Sequence, residues 1–307
     1  MFKENVNLKD LSSFHVGGST RWFTEDKSVD EIIESLQKAR KELIPVRIVG
    51  EGTNILWSDE RYNGLVLRPT IMTTVRDGTA LTVGAGVKMA NVIDFAIQHG
   101  LSGLEWAGGL PGSVGGALRG NAGAFCGEMQ NSVSEILSID VETYGIRRRD
   151  RAACKYEYRN SVFKKNNGKE IIIEATLYMR HGDKKHIRDT VEEKILFRKN
   201  RHPLEYPTAG STFKNVPIER FSKDILETVK HVIKTDPFPI IPAGYLIEHA
   251  GMKGYRCGGA MISEKHSNFI INISNATAVD IRNIIIQVKE KVFHVFNVHL
   301  EEEIIIF

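Results

Sequence analysis

Cysteine is scarce: Cys126, Cys154 and Cys257 are the only three in 307 residues, odd in number and far apart. That excludes a disulfide framework and leaves no Cys pair spaced for a zinc site. All three read as small, reduced residues, and no metal is expected. Long hydrophobic runs are also missing. No stretch approaches the ~18 apolar residues of a membrane span, and no apolar segment follows a basic N-terminus as in a secretory signal. A cytoplasmic protein with no membrane insertion is expected. Neither charge sign dominates: the formal net charge is +3, far from the basic footprint of a nucleic-acid binder. The one basic run, Arg147 to Arg151 (RRRDR), reads as a solvated strand end. Neither GxGxxG nor GxxxxGK[ST] occurs, which excludes the two commonest nucleotide-loop fingerprints.

Glycine, by contrast, is concentrated. Eight of the 27 glycines fall between Gly108 and Gly127, in GGLPGSVGGALRGNAGAFCG. Glycine costs backbone entropy on folding but allows positive φ and close approach of the main chain to a ligand. Successive N–H groups in such a loop can form a nest for phosphate oxygens. Gly112, Ser113, Gly115, Gly116, Asn121, Ala122 and Gly123 are therefore candidate cofactor contacts. A purely structural loop remains an alternative for glycine density alone. A second candidate phosphate loop is GEGTNIL, with Gly50, Gly52, Thr53 and Asn54, directly after an apolar strand. A third glycine turn lies at Gly84 to Gly86.

The rest of the chain spells out an α+β pattern. Ser28 is a plausible N-cap for a helix carrying Val29, Ile32, Ile33, Leu36 and Leu43. Strands are predicted at 46–49, 65–67, 80–83, 136–141 and 171–179, and helices at 89–99 and about 186–200. Leu11 to Arg21 reads as a surface loop. Six of the nine prolines lie from Pro203 to Pro242, which marks a domain entry. A helix near 244–250, strands near 260 and 270, a helix at 278–296 with Ile281, Ile284, Ile285, Val288, Val292 and Phe296 on one face, and a terminal strand at 300–307 follow. The expected organisation is a domain at 1–202, in two lobes of about 1–70 and 71–202, and a smaller C-terminal domain at 203–307.

The order LSSFHVGGSTR, GEGTNIL, GLPGSVGGALRGNAG, YRNSVF, AGSTFKN, AGYLIEHAGMKGYRCGGAMISEKH and LEEEI resembles the UDP-N-acetylenolpyruvoylglucosamine reductase family over nearly the whole chain. The short interval between Arg159 and Ser211 resembles the family's shorter form. The resemblance implies an FAD-binding fold of the vanillyl-alcohol-oxidase type, followed by a C-terminal substrate domain. It further implies non-covalent FAD, NADPH as reductant, and a UDP-sugar enolpyruvyl ether as substrate, reduced on the way to peptidoglycan. A monomer is compatible with it. Another FAD-dependent oxidase or dehydrogenase of the same fold, and a nucleotide-binding module without catalysis, are the alternatives.

The resemblance also implies residue roles. Arg159, in YRNSVF, would bind the substrate carboxylate with its planar fork. Ser211, in AGSTFKN, would protonate the carbanion left after hydride arrives, and Glu303, in LEEEI, would support the enolate. Arg198 joins the cofactor contacts. Arg201, Asn215, Lys253 and His266 are candidate substrate contacts. Arg201 stands where the family usually has lysine, Val216 where it has proline, and Glu302 where proline is common.

Overall fold

The computed structural model describes residues 2–307, which divide into two compact units. The first comprises residues up to 6, 20–51 and 62–198; the second comprises 7–19, 52–61 and 199–307. The cut at 198/199 lies close to the expected boundary at 202/203. The segments 7–19 and 52–61, expected with the N-terminal domain, instead pack in the C-terminal unit. Their apolar residues explain why. Phe14, Val16 and Leu56 are buried in the same core as Phe213, Leu246 and Ile281.

The first unit holds two sheets. In one, the strands Ser19–Asp26 and Val46–Ile48 run parallel to Tyr62–Pro69 and flank it, with Lys3–Asn7 outside. The helix Val29–Lys41 connects two of these strands. Ser28 caps it by accepting the Glu31 N–H at 3.1 Å, and Ile32, Leu36 and Ala39 are buried. The helix ends at Lys41, before Pro45, because Leu43 takes a left-handed φ of 53°. The second sheet is antiparallel, in the order Ile146–Asp150, Val133–Asp140, Glu170–Tyr178, Ala80–Gly84, Thr74–Asp77. Its central strand is the apolar run 171–179, where Ile173, Ala175 and Leu177 are all buried.

The basic run is the edge strand of that sheet, and it is neutralised by it. Arg147 pairs with Asp140 and Arg148 with Glu135, while Arg149 forks Glu170 at 2.6 and 3.0 Å. Charges so paired across the sheet leave no cationic stripe for a polyanion.

In the second unit the helix Ala278–Phe296 buries the stripe its 3.6 period defines. It packs on an antiparallel sheet of Arg256–Cys257, Ala260–Ile262 and Ile270–Asn272. Thr277 and Asp280 close its N-terminus as a capping box. Two expectations are revised here. The segment 300–307 is a strand only at Ile305–Ile306, parallel to Ile55–Leu56. Leu11–Arg21 is not all loop: Leu8–Leu11 is a 3-10 turn and a strand begins at Ser19. Single-strand periodicity cannot show such pairings, because their partners lie about forty residues away for the strand at Ser19 and two hundred and fifty for Ile305.

Candidate functional site

In the first unit the glycine loops meet. The glycine-rich segment enters the helix Val114–Gly120, with Ser113 as N-cap accepting the Gly116 N–H at 3.5 Å. Val114 and Gly115 donate to Val87 O and Ala85 O, each at 2.9 Å, so the turn at 84–88 lies along this helix start. A Cβ on Gly115 would sit 2.9 Å from Ala85 Cβ, which requires glycine there. A Cβ on Gly50 would sit 2.7 Å from Ser113 Oγ. Gly112, Ser113, Gly115, Gly116 and Gly50 thus share one region, as a nest for phosphate oxygens requires. Gly116 is exposed there, with its Cβ position open.

Asn121 is fully buried, and its side chain is engaged within the unit. Its amide donates to Glu128 and to Glu157 O, and its oxygen accepts from Gln130. Its contribution is therefore to hold the chain rather than to offer an amide outward. Ala122 and Gly123 lead into a hairpin, Gly123–Ala124 against Gly127–Glu128, turned by Phe125 and Cys126 at φ 50° and 63°. Side chains rarely accept that conformation at two successive positions. Phe125 is held by Phe197 at its edge and by Lys194 and Arg198 over its ring. Nothing in the linear sequence marks Phe125, since its partners are some seventy residues distant.

Arg159 sits at the tip of a tight turn closed by mutual Glu157–Asn160 hydrogen bonds, at a left-handed φ of 54°. Its Nη2 donates to Gly123 O at 2.7 Å. Arg198, on the helix Lys184–Arg201, donates from Nε to Gly108 O at 2.9 Å. Its buried Nη2 has no partner among the described residues. Burial lowers the pKa of Arg198, and the nearby charge of Arg159 lowers it further. Arg119, on the glycine-rich helix, is likewise lowered by burial. Two neighbouring guanidiniums, one with an orphaned buried N–H, suit an anionic group. Together with the glycine cradle, they fit a diphosphate-bearing cofactor such as FAD.

In the second unit Ser211 and Glu303 are brought together by backbone pairing. Glu303 N–H donates to Thr212 O at 2.8 Å, and Phe213 bridges to Glu302. Asn54 donates its side-chain amide to Glu303 O at 3.1 Å, linking the GEGTN loop to the same segment. Gly52 in that loop has φ 67° and a Cβ position only 1.9 Å from Leu11 O, so no other residue fits; Thr53 stands beside it, partly exposed. The three glutamates differ. Glu301 pairs with Arg220 and Lys214, and Glu302 with Lys289. Asn215 caps the helix Ala243–His249 by accepting the Ala243 N–H at 3.0 Å. Lys253 is exposed and paired with Glu248 at 2.9 Å. His266 lies against His202 and Phe269, and burial lowers its pKa, keeping the imidazole neutral. Arg201 is exposed at the end of its helix.

Cys154 is buried and its thiol is pushed up to about 11 by burial, which makes it an inert core residue. Among the described residues no cluster of His, Cys, Asp and Glu could hold a metal ion, and no helix is long and apolar enough to cross a membrane.

Fold and site together define an α+β protein with an FAD-binding domain: residues 23–143 match the family described as FAD binding domain. Residues 202–307 match the C-terminal domain of UDP-N-acetylenolpyruvoylglucosamine reductase. The chain is 35% identical to the UDP-N-acetylenolpyruvoylglucosamine reductase of Caldanaerobacter subterraneus subsp. tengcongensis over 98% of its own length and 91% of that protein. It is 33% identical to the reductase of that name from Listeria monocytogenes, over 98% of this chain and 93% of the other. The crystal structure of the Thermus caldophilus UDP-N-acetylenolpyruvylglucosamine reductase superimposes with a TM-score of 0.78 at 28% identity, covering all of both chains. The chain belongs to the UDP-N-acetylenolpyruvoylglucosamine reductase family.

Proposed function

We propose that this chain reduces the enolpyruvyl ether of UDP-N-acetylglucosamine to UDP-N-acetylmuramate, with NADPH as reductant and non-covalent FAD, in peptidoglycan precursor synthesis. The observation that carries this reading is the convergence of Ser211 and Glu303 on paired backbone segments in a chain of this family. Bound FAD supplies hydride transfer from NADPH to the enolpyruvyl double bond. Gly50, Gly112, Ser113, Gly115 and Gly116 shape the cradle for its diphosphate, and Arg198 offers the orphaned N–H.

The protein's own share is charge stabilisation and a proton. Hydride arrival at the terminal carbon develops an enolate on the adjoining carboxylate. Arg159, fixed at a left-handed turn, forks that carboxylate. Glu303, in its protonated form, supports the enolate by donating a hydrogen bond. Ser211 delivers the proton to the adjacent carbon. A serine hydroxyl is a weak acid, but a carbanion is basic enough to take its proton. Arg201, Asn215, Lys253 and His266 serve the UDP-sugar; Lys253 suits a diphosphate as a point charge. Every group named lies in one chain, so a monomer suffices. Its nucleotide substrate and reductant place its work in the cytoplasm.

Stopped-flow measurement of the two half-reactions tests the assignment. Ser211→Ala leaves flavin reduction by NADPH intact, because no substrate proton moves in that half. Reoxidation by the enolpyruvyl substrate slows at least ~10²-fold, the low end for a lost general acid. Equal slowing of both halves, or unchanged reoxidation, removes Ser211 from the reaction.

A further inference from the structure

Upstream of Ser211 the chain is anchored by Thr208 Oγ1 donating to Ile270 O at 2.7 Å and by buried Ala209, but the residue directly before it makes no such contact among the described residues. Gly210 precedes it at φ 79°, and a Cβ there would touch nothing within 4 Å. A proton donor must nonetheless be kept within a fraction of an ångström of its acceptor. On one face of the segment that follows, the restraint centres on one buried residue. Asn268 is 4% exposed. Its Oδ1 accepts the Phe213 N–H at 3.0 Å and its Nδ2 donates to Phe213 O at 2.8 Å. Its own carbonyl accepts the Thr212 N–H at 2.8 Å. The next residue, Phe269, bridges to Ser211.

One side chain therefore supplies both halves of a strand rung that the backbone itself leaves unmade. Asn268 is in turn seated by its N–H donating to His266 Nδ1 at 3.2 Å. That bond fixes the neutral imidazole with Nδ1 as acceptor and leaves Nε2–H as a donor. On the opposite side, Thr212 O takes the Glu303 N–H and Lys214 N–H goes to Glu301 O. The segment 211–214 is thus threaded between 266–269 and 301–303, and the side chain of Asn268 is the buried non-backbone link in that ladder, beside the Lys214–Glu301 ion pair at its edge. We propose that Asn268 is a positioning residue: by clamping Phe213 it sets the register and aim of the Ser211 hydroxyl for proton delivery. This inference rests on the reading of Ser211 as proton donor.

The test is a double-mutant cycle on the FAD-loaded enzyme. Asn268→Ala is made in the wild-type and in the Ser211→Ala background, and both half-reactions are followed. If Asn268 works through Ser211, Asn268→Ala slows reoxidation by at least ~10-fold with substrate KM little changed, leaves flavin reduction intact, and adds less than ~2-fold once Ser211 is gone. Amide hydrogen exchange at Phe213 speeds up in the same variant. The near-isosteric Asn268→Asp guards against misfolding of the alanine variant. It keeps the acceptor for Phe213 N–H, loses the donor to Phe213 O, and gives an intermediate rate. Equal slowing by Asn268→Ala in both backgrounds, slowing of both half-reactions, or a wild-type rate in Asn268→Asp with restored exchange protection absent overturns the clamp. If Ser211→Ala alone leaves reoxidation unchanged, the reading of Ser211 fails first, and the two failures are told apart.

Discussion

Gly116→Ala separates the needs of folding from the needs of the cofactor, because the two should move in opposite directions. Gly116 is the third residue of the helix Val114–Gly120, exposed, and free of the left-handed conformation. A Cβ built there meets only Ser113 Oγ, at 3.6 Å, an ordinary contact. Alanine should therefore fold without strain. It should stabilise the apo protein by roughly 0.5–1 kcal/mol, the usual penalty of glycine in a helix, which corresponds to about 1–3 °C in Tm. If the exposed N–H groups of this turn approach the FAD diphosphate, the added methyl stands in the way. Losing one such charge-assisted hydrogen bond costs ~1.5–3 kcal/mol, or about ten- to a hundredfold in FAD affinity.

Two neighbouring glycines calibrate the result. At Gly120 a Cβ meets nothing within 4 Å, so Gly120→Ala should gain stability and bind FAD as the wild type does. At Gly115 a Cβ lies 2.9 Å from Ala85 Cβ and 3.2 Å from Ala85 O. Gly115→Ala should therefore lose stability, by about 1–3 kcal/mol for an overpacked site, and lose FAD as well. The assay is urea unfolding of the flavin-stripped protein alongside FAD titration by flavin fluorescence. Wild-type FAD affinity in a stabilised Gly116→Ala protein would refute the cradle at this position.

Arg198→Met should leave apo stability within about 1 kcal/mol of wild type, because it removes a buried orphan donor together with one hydrogen bond. FAD binding should weaken at least ~10-fold, and titration of the stripped protein reads it. Glu170→Gln should cost about 3 kcal/mol at pH 7 by leaving Arg149 without its buried carboxylate. Burial pushes the Glu170 pKa up, but bonds from Arg149 and Ser138 outweigh it and the net shift is down. Its stabilising share is thus present above the unfolded value and lost as pH falls through the folded one, so urea midpoints of wild type and variant should converge in acid. Asp26 has the opposite sign: burial raises its pKa, only partly offset by the Thr24 and Ser35 hydroxyls. Stability tied to Asp26 is full below the unfolded value of about 3.9 and falls as pH rises to the folded one. Asp26→Asn should therefore gain stability over wild type at pH 7 and not at pH 3; a constant difference across that range would rule out burial as the cause.

What the linear chain determined by itself is what depends on neighbours within a turn or two. The apolar stripe from Ile281 to Phe296 became one buried helix face between Ala278 and Phe296. Ser28 became a cap, Gly100 ended the helix Met89–His99 in the left-handed region, and the run 171–179 became the central strand of a sheet. Glycine density marked the loops, and the ordered motifs marked the family. Tertiary structure decided what depends on partners far along the chain. Ile55, paired with Ile305, lies with residues 52–61 in the C-terminal unit, while Gly50 and Glu51 of the same loop belong to the first. Three consecutive arginines, read as a solvated strand end, are each paired with a carboxylate of the same sheet, Asp140 and Glu135 on the adjacent strand and Glu170 on the next. Asn121, a candidate ligand contact, spends its amide on Glu128 and Glu157, while Asn268, which no motif distinguishes in role, clamps the segment bearing Ser211. Periodicity reports which side of an element is apolar. It carries no information on which distant backbone groups a buried amide will satisfy, because that is settled only when the segments are packed and every buried polar group must find its partner.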